Sequence, residues 1–221
     1  MKVVITGSTG MVGKAVLLEC LASHRVESVL IINRHPVNIQ HPKLKEIIHR
    51  DFSDFSSLSD ELAGYDACFY CMGISAFRMS EQDYSRITFD FTKAFAETFI
   101  SASPDSVFIY VSGTGTDSSE SGQVMWARVK GRVENRILTM GFKDAYAFRP
   151  GAIYPVKGVQ SKTRLYNLIY KLMVPLYPLL KHLTPIIESD QLGQAMINVV
   201  LHPQDKKHLE NKALIRLAES L

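Results

Sequence analysis

The chain has 221 residues, 46% of them hydrophobic and 21% charged, and its 25 Lys plus Arg against 22 Asp plus Glu leave a net charge of +3. That is the balance of one globular domain, long enough to bury roughly 70% of its unfolded surface and to fold without disulfides or a structural metal. Scattered rather than clustered basic residues argue against a nucleic-acid surface, while three cysteines, the absence of an Asn-x-Ser/Thr site and a start at Met1 without a secretory apolar stretch suggest a reducing, cytoplasmic setting.

Residues 3–6 form a β-branched run that ends at Gly7, and Met11–Ala22 follows with helical spacing of Val12, Val16 and Leu17. Further strands are expected at 28–32, 46–49, 67–71, 107–112 and 145–148, with long helices over 80–101 and 124–140. Strands alternating with helices imply right-handed crossovers. The expected fold is therefore α/β: a Rossmann-type doubly wound parallel sheet with helices on both faces and a small C-terminal cap.

After Arg149-Pro150-Gly151 the pattern changes. Residues 163–182 are rich in Leu, Tyr and Ile but are interrupted by Lys171, Pro175, Pro178 and Lys181, too broken for a transmembrane span. Residues 190–201 read as an amphipathic helix. We expect one domain, with a dinucleotide-binding core over 1–151 and a cap and substrate wall over 152–221. For 163–182 the alternatives are a lid packed on the core and a surface for peripheral membrane contact or a homodimer.

Gly7-Ser8-Thr9-Gly10-Met11-Val12-Gly13 has the spacing G-x-x-G-x-x-G directly after the first strand and at the start of the first helix. Such glycines let the backbone turn and approach a pyrophosphate, whose charge meets free N–H groups and the helix dipole. Where an NAD site usually carries Asp or Glu, the second strand ends in Asn33-Arg34-His35. Arg34 can hold a 2′-phosphate in two contacts, which favours NADP over NAD; the plain alternative is a solvated arginine. Asp51 could accept from an adenine amino group, with Phe52 against its ring.

Cys68-Phe69-Tyr70-Cys71 has C-x-x-C spacing, but in a strand residues three apart face opposite sides, so the sulfurs cannot converge. The seven histidines show no paired ligand spacing, and no metal site is expected. Residues 113–122 read either as a loop able to cover an active site or as an ordinary solvated loop.

With the glycine loop, Ile32-Asn33-Arg34, Asp51-Phe52, Cys71-Met72-Gly73, Val129-Lys130-Gly131 and Phe148-Arg149-Pro150-Gly151, the chain resembles the atypical short-chain dehydrogenase/reductases. Trp126-Ala127-Arg128-Val129-Lys130-Gly131-Arg132-Val133-Glu134 and Leu209-Glu210-Asn211-Lys212-Ala213 make it most similar to the Tat-interacting-protein oxidoreductase group. The resemblance implies that Gly7, Thr9, Gly10 and Gly13 hold the pyrophosphate and that Cys71, Met72 and Gly73 lie along the nicotinamide ribose. It implies that Ser112 bonds the substrate oxygen, that Lys130 binds the ribose hydroxyls, and that Pro150, Gly151, Ala152 and Ile153 pack beside the nicotinamide amide.

One position departs from that pattern. The family's proton donor is a Tyr four residues before the Lys, and here that residue is Trp126. An indole N–H does not ionise at any working pH, so Trp126 can stack or donate a hydrogen bond but cannot be the acid and base. Another phenol could reach the site, Tyr154 first and Tyr84 second, with Tyr84 and Trp126 taken as substrate-pocket residues. Otherwise the acceptor is one, such as a quinone or flavin, that needs no tuned protein acid, or the protein binds NADP without turning it over. The expected function is hydride transfer from NADPH to a small-molecule carbonyl, quinone or similar acceptor. A non-catalytic NADP-binding redox sensor or interaction regulator is the second reading, and a sugar-nucleotide epimerase the third.

Overall fold

The apolar runs read from the sequence assemble into a parallel sheet in the computed structural model, which describes residues 1–159 and 185–220. In chain order the main elements begin with β1 (Lys2–Thr6), α1 (Met11–Ala22), β2 (Ser28–Asn33), β3 (Leu44–Ile48) and β4 (Ala67–Tyr70). They continue with α2 (Glu81–Ser85), α3 (Phe91–Ala102), β5 (Val107–Val111), α4 (Met125–Leu138), β6 (Asp144–Arg149) and β7 (Ile153–Tyr154). After the interval come β8 (Ile187–Glu188), α5 (Ser189–Leu201), β9 (His208–Glu210) and α6 (Asn211–Glu219). The seven-stranded sheet has the order β3-β2-β1-β4-β5-β6-β9 and every pairing in it is parallel. This is the Rossmann-like α/β fold that the alternation implied. The expected lid over 163–182 lies outside the described residues.

Helices cover both faces, which explains why the central strands are apolar without alternation. On one side Val3, Ile5, Val29, Ile31 and Phe69 meet Val16, Leu17 and Cys20 of α1 and Leu192, Met196 and Val199 of α5. The other side is aromatic: Phe55, Tyr70, Phe95, Phe99 and Phe108 pack together, with Phe95 and Phe99 stacked at 5.8 Å. Cys68 belongs to this second layer while Cys71 packs against the first, so the two thiols face apart as strand geometry requires.

Two features differ from the sequence reading. The helix expected over 80–101 is broken by a π-helical stretch, Arg86–Asp90, between α2 and α3. Its wider turn shifts the face that the preceding residues present, including Tyr84. The C-terminal region also does more than cap. Residues 208–210, three residues too short to carry a period, add the edge strand beside β6, with Leu209 opposite Phe148.

Candidate functional site

The strand order reverses between β1 and β4, and in sheets of this kind ligands bind in the crevice at that point. Gly7, just after β1, has φ +72°, and a Cβ on it would stand 2.7 Å from backbone atoms of Cys71 and Met72, just after β4. Gly13 faces the Gly7 carbonyl, and any Cβ there would collide with it. Backbone bonds of 2.9 Å, Gly10 N–H to the Gly7 carbonyl and Lys14 N–H to the Gly10 carbonyl, close the turn. Helix α1 begins with no capping side chain and no carboxylate in its first turn. The amides of Met11, Val12 and Gly13 therefore present the positive end of the helix without an intrahelical acceptor. This tight glycine cradle ahead of an open helix start fits a dinucleotide pyrophosphate.

Ser8 is buried and its side chain braces the loop: Oγ donates to Asn33 Oδ1 at 3.0 Å and accepts from Asn33 Nδ2 at 2.8 Å. Asn33 Nδ2 also reaches Glu46 Oε1 at 3.1 Å, and that oxygen accepts the Val37 N–H at 3.1 Å. A carboxylate thus does stand beside the end of β2, but it comes from β3, and the sequence reading missed it. Arg34 is exposed, with its guanidinium carbon 6.0 Å from the Phe52 ring centre. Thr9 shares a small cleft of about 200 Å³ with Ser8, Lys14, Pro36, Val37 and Ile39.

Asp51 is exposed, and Oδ1 accepts from the Ser53 amide at 2.9 Å and the Ser53 hydroxyl at 2.5 Å. Those bonds hold its carboxyl below the usual range. Phe52 corrects the expectation of an open stacking face. It is 5% exposed, edge-on to Phe55 at 5.2 Å, and belongs to the aromatic layer.

Along the crevice lies a cavity of about 490 Å³ lined by Ile74, Ser75, Ala76, Phe77, Tyr84, Met125, Trp126 and Lys130. Helix α4 supplies Trp126 and Lys130 from adjacent turns of one face. The Lys130 ammonium donates to the Ser112 carbonyl and stands 6.0 Å from the Trp126 ring centre. Burial lowers the Lys130 pKa to about 8, with Glu134 one turn on acting in the opposite direction. Of the two candidate phenols, Tyr84 lines this cavity and Tyr154 does not; Tyr154 sits on β7, level with Glu188 in a separate two-stranded sheet. Burial pushes the Tyr84 phenol above its ordinary pKa.

Ser112 is 4% exposed and its hydroxyl donates to Glu134 Oε1 at 2.5 Å, away from the cavity lining. This differs from the substrate contact that the resemblance implied. Glu134 is fully buried and also holds Arg149, which in turn donates to Ser118 Oγ at 2.5 Å. His208 Nε2 is 3.4 Å from Glu134 Oε2, and burial lowers its pKa. Residues 113–122 bond to their surroundings, Thr114 N–H to the Pro150 carbonyl at 3.0 Å and Asp117 N–H to the Ala127 carbonyl at 3.1 Å, and Asp117 Oδ2 accepts from Gly122 N–H at 2.7 Å within the segment.

Pro150 is buried and its carbonyl accepts the Thr114 N–H at 3.0 Å. The Gly151 N–H donates to Asn211 Oδ1 at 2.9 Å, and Asn211 Nδ2 donates to the carbonyls of Ala152 and Pro185 at 3.1 and 2.7 Å. Ile153 is half-buried on β7. Asn211 and Arg149 stood in the motifs that carry the resemblance but had no role assigned from sequence, because their partners are distant in the chain. Glu134 carried a signal, a carboxylate four residues after Lys130 among the buried positions of α4.

Residues 3–120 match the NAD dependent epimerase/dehydratase family. The chain belongs to that family. Among curated members of similar sequence, the rat protein HTATIP2 is 28% identical over 155 residues, 68% of this chain and 62% of its own length, so the match spans less than two thirds of that relative. The Debaryomyces hansenii protein named FMP52, mitochondrial, is 27% identical over 162 residues, covering 69% of this chain and 67% of its own. These bear out the likeness to the Tat-interacting-protein group. The Helicobacter pylori ADP-L-glycero-D-manno-heptose-6-epimerase superposes with a TM-score of 0.69 at 13% identity, covering 99% of this chain and 82% of that one. The Bordetella bronchiseptica enzyme WbmH, in complex with NAD+, gives 0.67 at 15% identity over 91% and 72%. This family's dependence on NAD agrees with a nicotinamide dinucleotide in the crevice. Among the described residues no helix is long and apolar enough to cross a membrane.

Proposed function

We propose that the chain is an NADP-dependent oxidoreductase that reduces a small-molecule carbonyl, quinone or similar acceptor. The observation that carries this reading is the largely apolar cavity lined by Lys130 and by residues 74–77, which follow closely on the backbone of Cys71 and Met72 that abuts Gly7. Gly7, Gly10, Gly13 and the amides of Met11 and Val12 would hold the pyrophosphate, Arg34 the 2′-phosphate, and Asp51 the adenine amino group. Cys71, Met72 and Gly73 would border the nicotinamide ribose, whose hydroxyls Lys130 would bind, and Pro150, Gly151 and Ile153 would flank the amide. A reduced nicotinamide bound there supplies hydride. The chain orients the acceptor and puts a cation at the oxygen that gains charge. We also infer a single domain with its substrate wall in residues 152–221, and the free thiols of Cys20, Cys68 and Cys71 suit a reducing compartment such as the cytoplasm.

A second reading, a non-catalytic NADP-binding regulator, is favoured by two observations: Trp126 stands in place of the family's phenol, and the Ser112 hydroxyl is committed to Glu134. Calorimetry with NADP and NAD on the parent and on Arg34→Ala tests the cofactor; equal affinities in the parent would sink the preference for NADP. NADPH consumption with a panel of quinones, flavins and aldehydes tests the reaction. Turnover that disappears in Lys130→Ala supports the enzyme, and binding without turnover across the panel supports the regulator.

A further inference from the structure

The polar character of the cavity is unusually one-sided. Six of the eight described residues that line it, Ile74, Ala76, Phe77, Tyr84, Met125 and Trp126, offer apolar or aromatic surface. Ser75 already accepts the Phe77 N–H at 3.2 Å, and among the described lining residues Lys130 is the single charged group. Phe77 stands 76% exposed at this site and Ile74 40%, with the Arg78 guanidinium carbon 5.1 Å from the Phe77 ring centre. At about 490 Å³ the cavity falls within the roughly 300–1,000 Å³ of small-molecule sites.

A sugar nucleotide brings many hydroxyls, each needing a partner when it leaves water, and hydroxyls left unpaired would cost affinity. Among the described residues no carboxylate and no amide side chain lines this cavity. A flat conjugated ring system makes the opposite demand: apolar walls for its faces and one cation for an oxygen.

We propose that this cavity takes a quinone, a planar conjugated dicarbonyl, with its rings against Phe77 and Trp126 and one oxygen toward the Lys130 ammonium. The proposal rests on the oxidoreductase reading above and narrows its substrate class. The reaction balances as quinone plus hydride plus one proton giving hydroquinone, with a nicotinamide dinucleotide as the reductant. The donor's C–H bond breaks and its hydrogen forms an O–H bond at one quinone oxygen, while conjugation carries the electron pair to the other oxygen; the aryloxide left there takes the proton and forms the second O–H. A simple ketone would instead leave a localised alkoxide, which requires a proton donor in the transition state, and Trp126 cannot be one. An aryloxide has a conjugate acid near pKa 10, as tyrosine does. The Lys130 ammonium, at about 8, can give it a proton downhill and recover that proton from water.

The test uses the chain's single tryptophan, which lines the cavity, as its reporter. NADP-saturated protein is titrated with menadione and, separately, with UDP-glucose while Trp126 emission is followed. Saturable quenching by menadione, weakened about tenfold in Phe77→Ser, with no saturable response to UDP-glucose, is the expected result. Saturation by UDP-glucose, or menadione quenching that stays linear and unchanged in Phe77→Ser, would overturn the proposal. NADPH calorimetry on both proteins keeps the two levels apart. Loss of nucleotide binding in the parent defeats the oxidoreductase reading itself, whereas intact binding with turnover of an aldehyde but not of menadione defeats the quinone assignment alone.

Discussion

Glu134 on α4 and Arg149 at the end of β6 form a two-point ion pair inside the protein, with Arg149 Nε 3.0 Å from Glu134 Oε1 and Nη2 in contact with Oε2. The carboxylate is fully buried, so its charge depends on that guanidinium and on the Ser112 hydroxyl. The pair joins the helix that carries Lys130 to the strand that leads into Pro150 and Gly151. Removing one partner of such a pair leaves a buried charge uncompensated, at a cost of about 3 kcal/mol. Glu134→Ala and Arg149→Ala should each lose about that much in denaturant unfolding, and the double variant clearly less than the sum. Additive losses below about 1 kcal/mol would mean that the pair does not hold α4 in place.

Gly131 offers a sign test. An alanine inside a helix ordinarily gains about 1 kcal/mol over glycine. Here a Cβ would run into the Asp117 carbonyl, where the 113–122 segment crosses α4. Gly131→Ala should therefore destabilise by about 1–3 kcal/mol, the usual range for overpacking. A rise in melting temperature would show that the segment yields.

Gly13→Ala acts on the cradle. Its Cβ can be accommodated only by moving the Gly7 carbonyl, and with it the amides that face the crevice. Affinity for the nicotinamide dinucleotide measured by calorimetry should fall at least about tenfold. Unchanged affinity would place the pyrophosphate elsewhere.

Lys130 should titrate unlike the other lysines. Burial disfavours its ammonium and lowers its pKa to about 8, against an ordinary value of 10.5. Because the folded form releases its proton first, this group makes the fold more stable as pH rises from about 8 toward 10.5, and its desolvation cost is fully present below pH 8. Amine acylation followed by peptide mapping should give half-maximal Lys130 reactivity near pH 8. Reactivity that follows the surface lysines would contradict the burial argument.

What could be read from sequence was what local pattern determines. The alternation of strands with helices and the opposed faces of Cys68 and Cys71 follow from backbone geometry over a few residues, and both hold. The rest depends on pairings that a linear reading does not contain. Phe52 looked like a base-stacking ring because it follows a strand, yet Phe55 and Phe91 enclose it. Tyr154 lies near Pro150 in sequence and looked the better phenol, while Tyr84, about seventy residues away from it along the chain, lines the cavity. The π-helical stretch Arg86–Asp90 interrupts residues 80–101, which read from sequence as one continuous helix. Glu46 was read only as part of a strand, although its carboxylate helps brace the glycine loop through Asn33.

One side chain has a wider consequence. Asn211 bonds Gly151 and Ala152 on one side and Pro185 on the other, and Ile153 pairs with Ile187 just beyond. The two ends of the stretch between positions 152 and 185 are thus clasped by residues that belong to the sheet and its helices. One amide side chain thus works as a rivet: it pins the turn after β6 to the start of α6, so a change at position 211 is felt at Gly151 without passing through the glycine cradle.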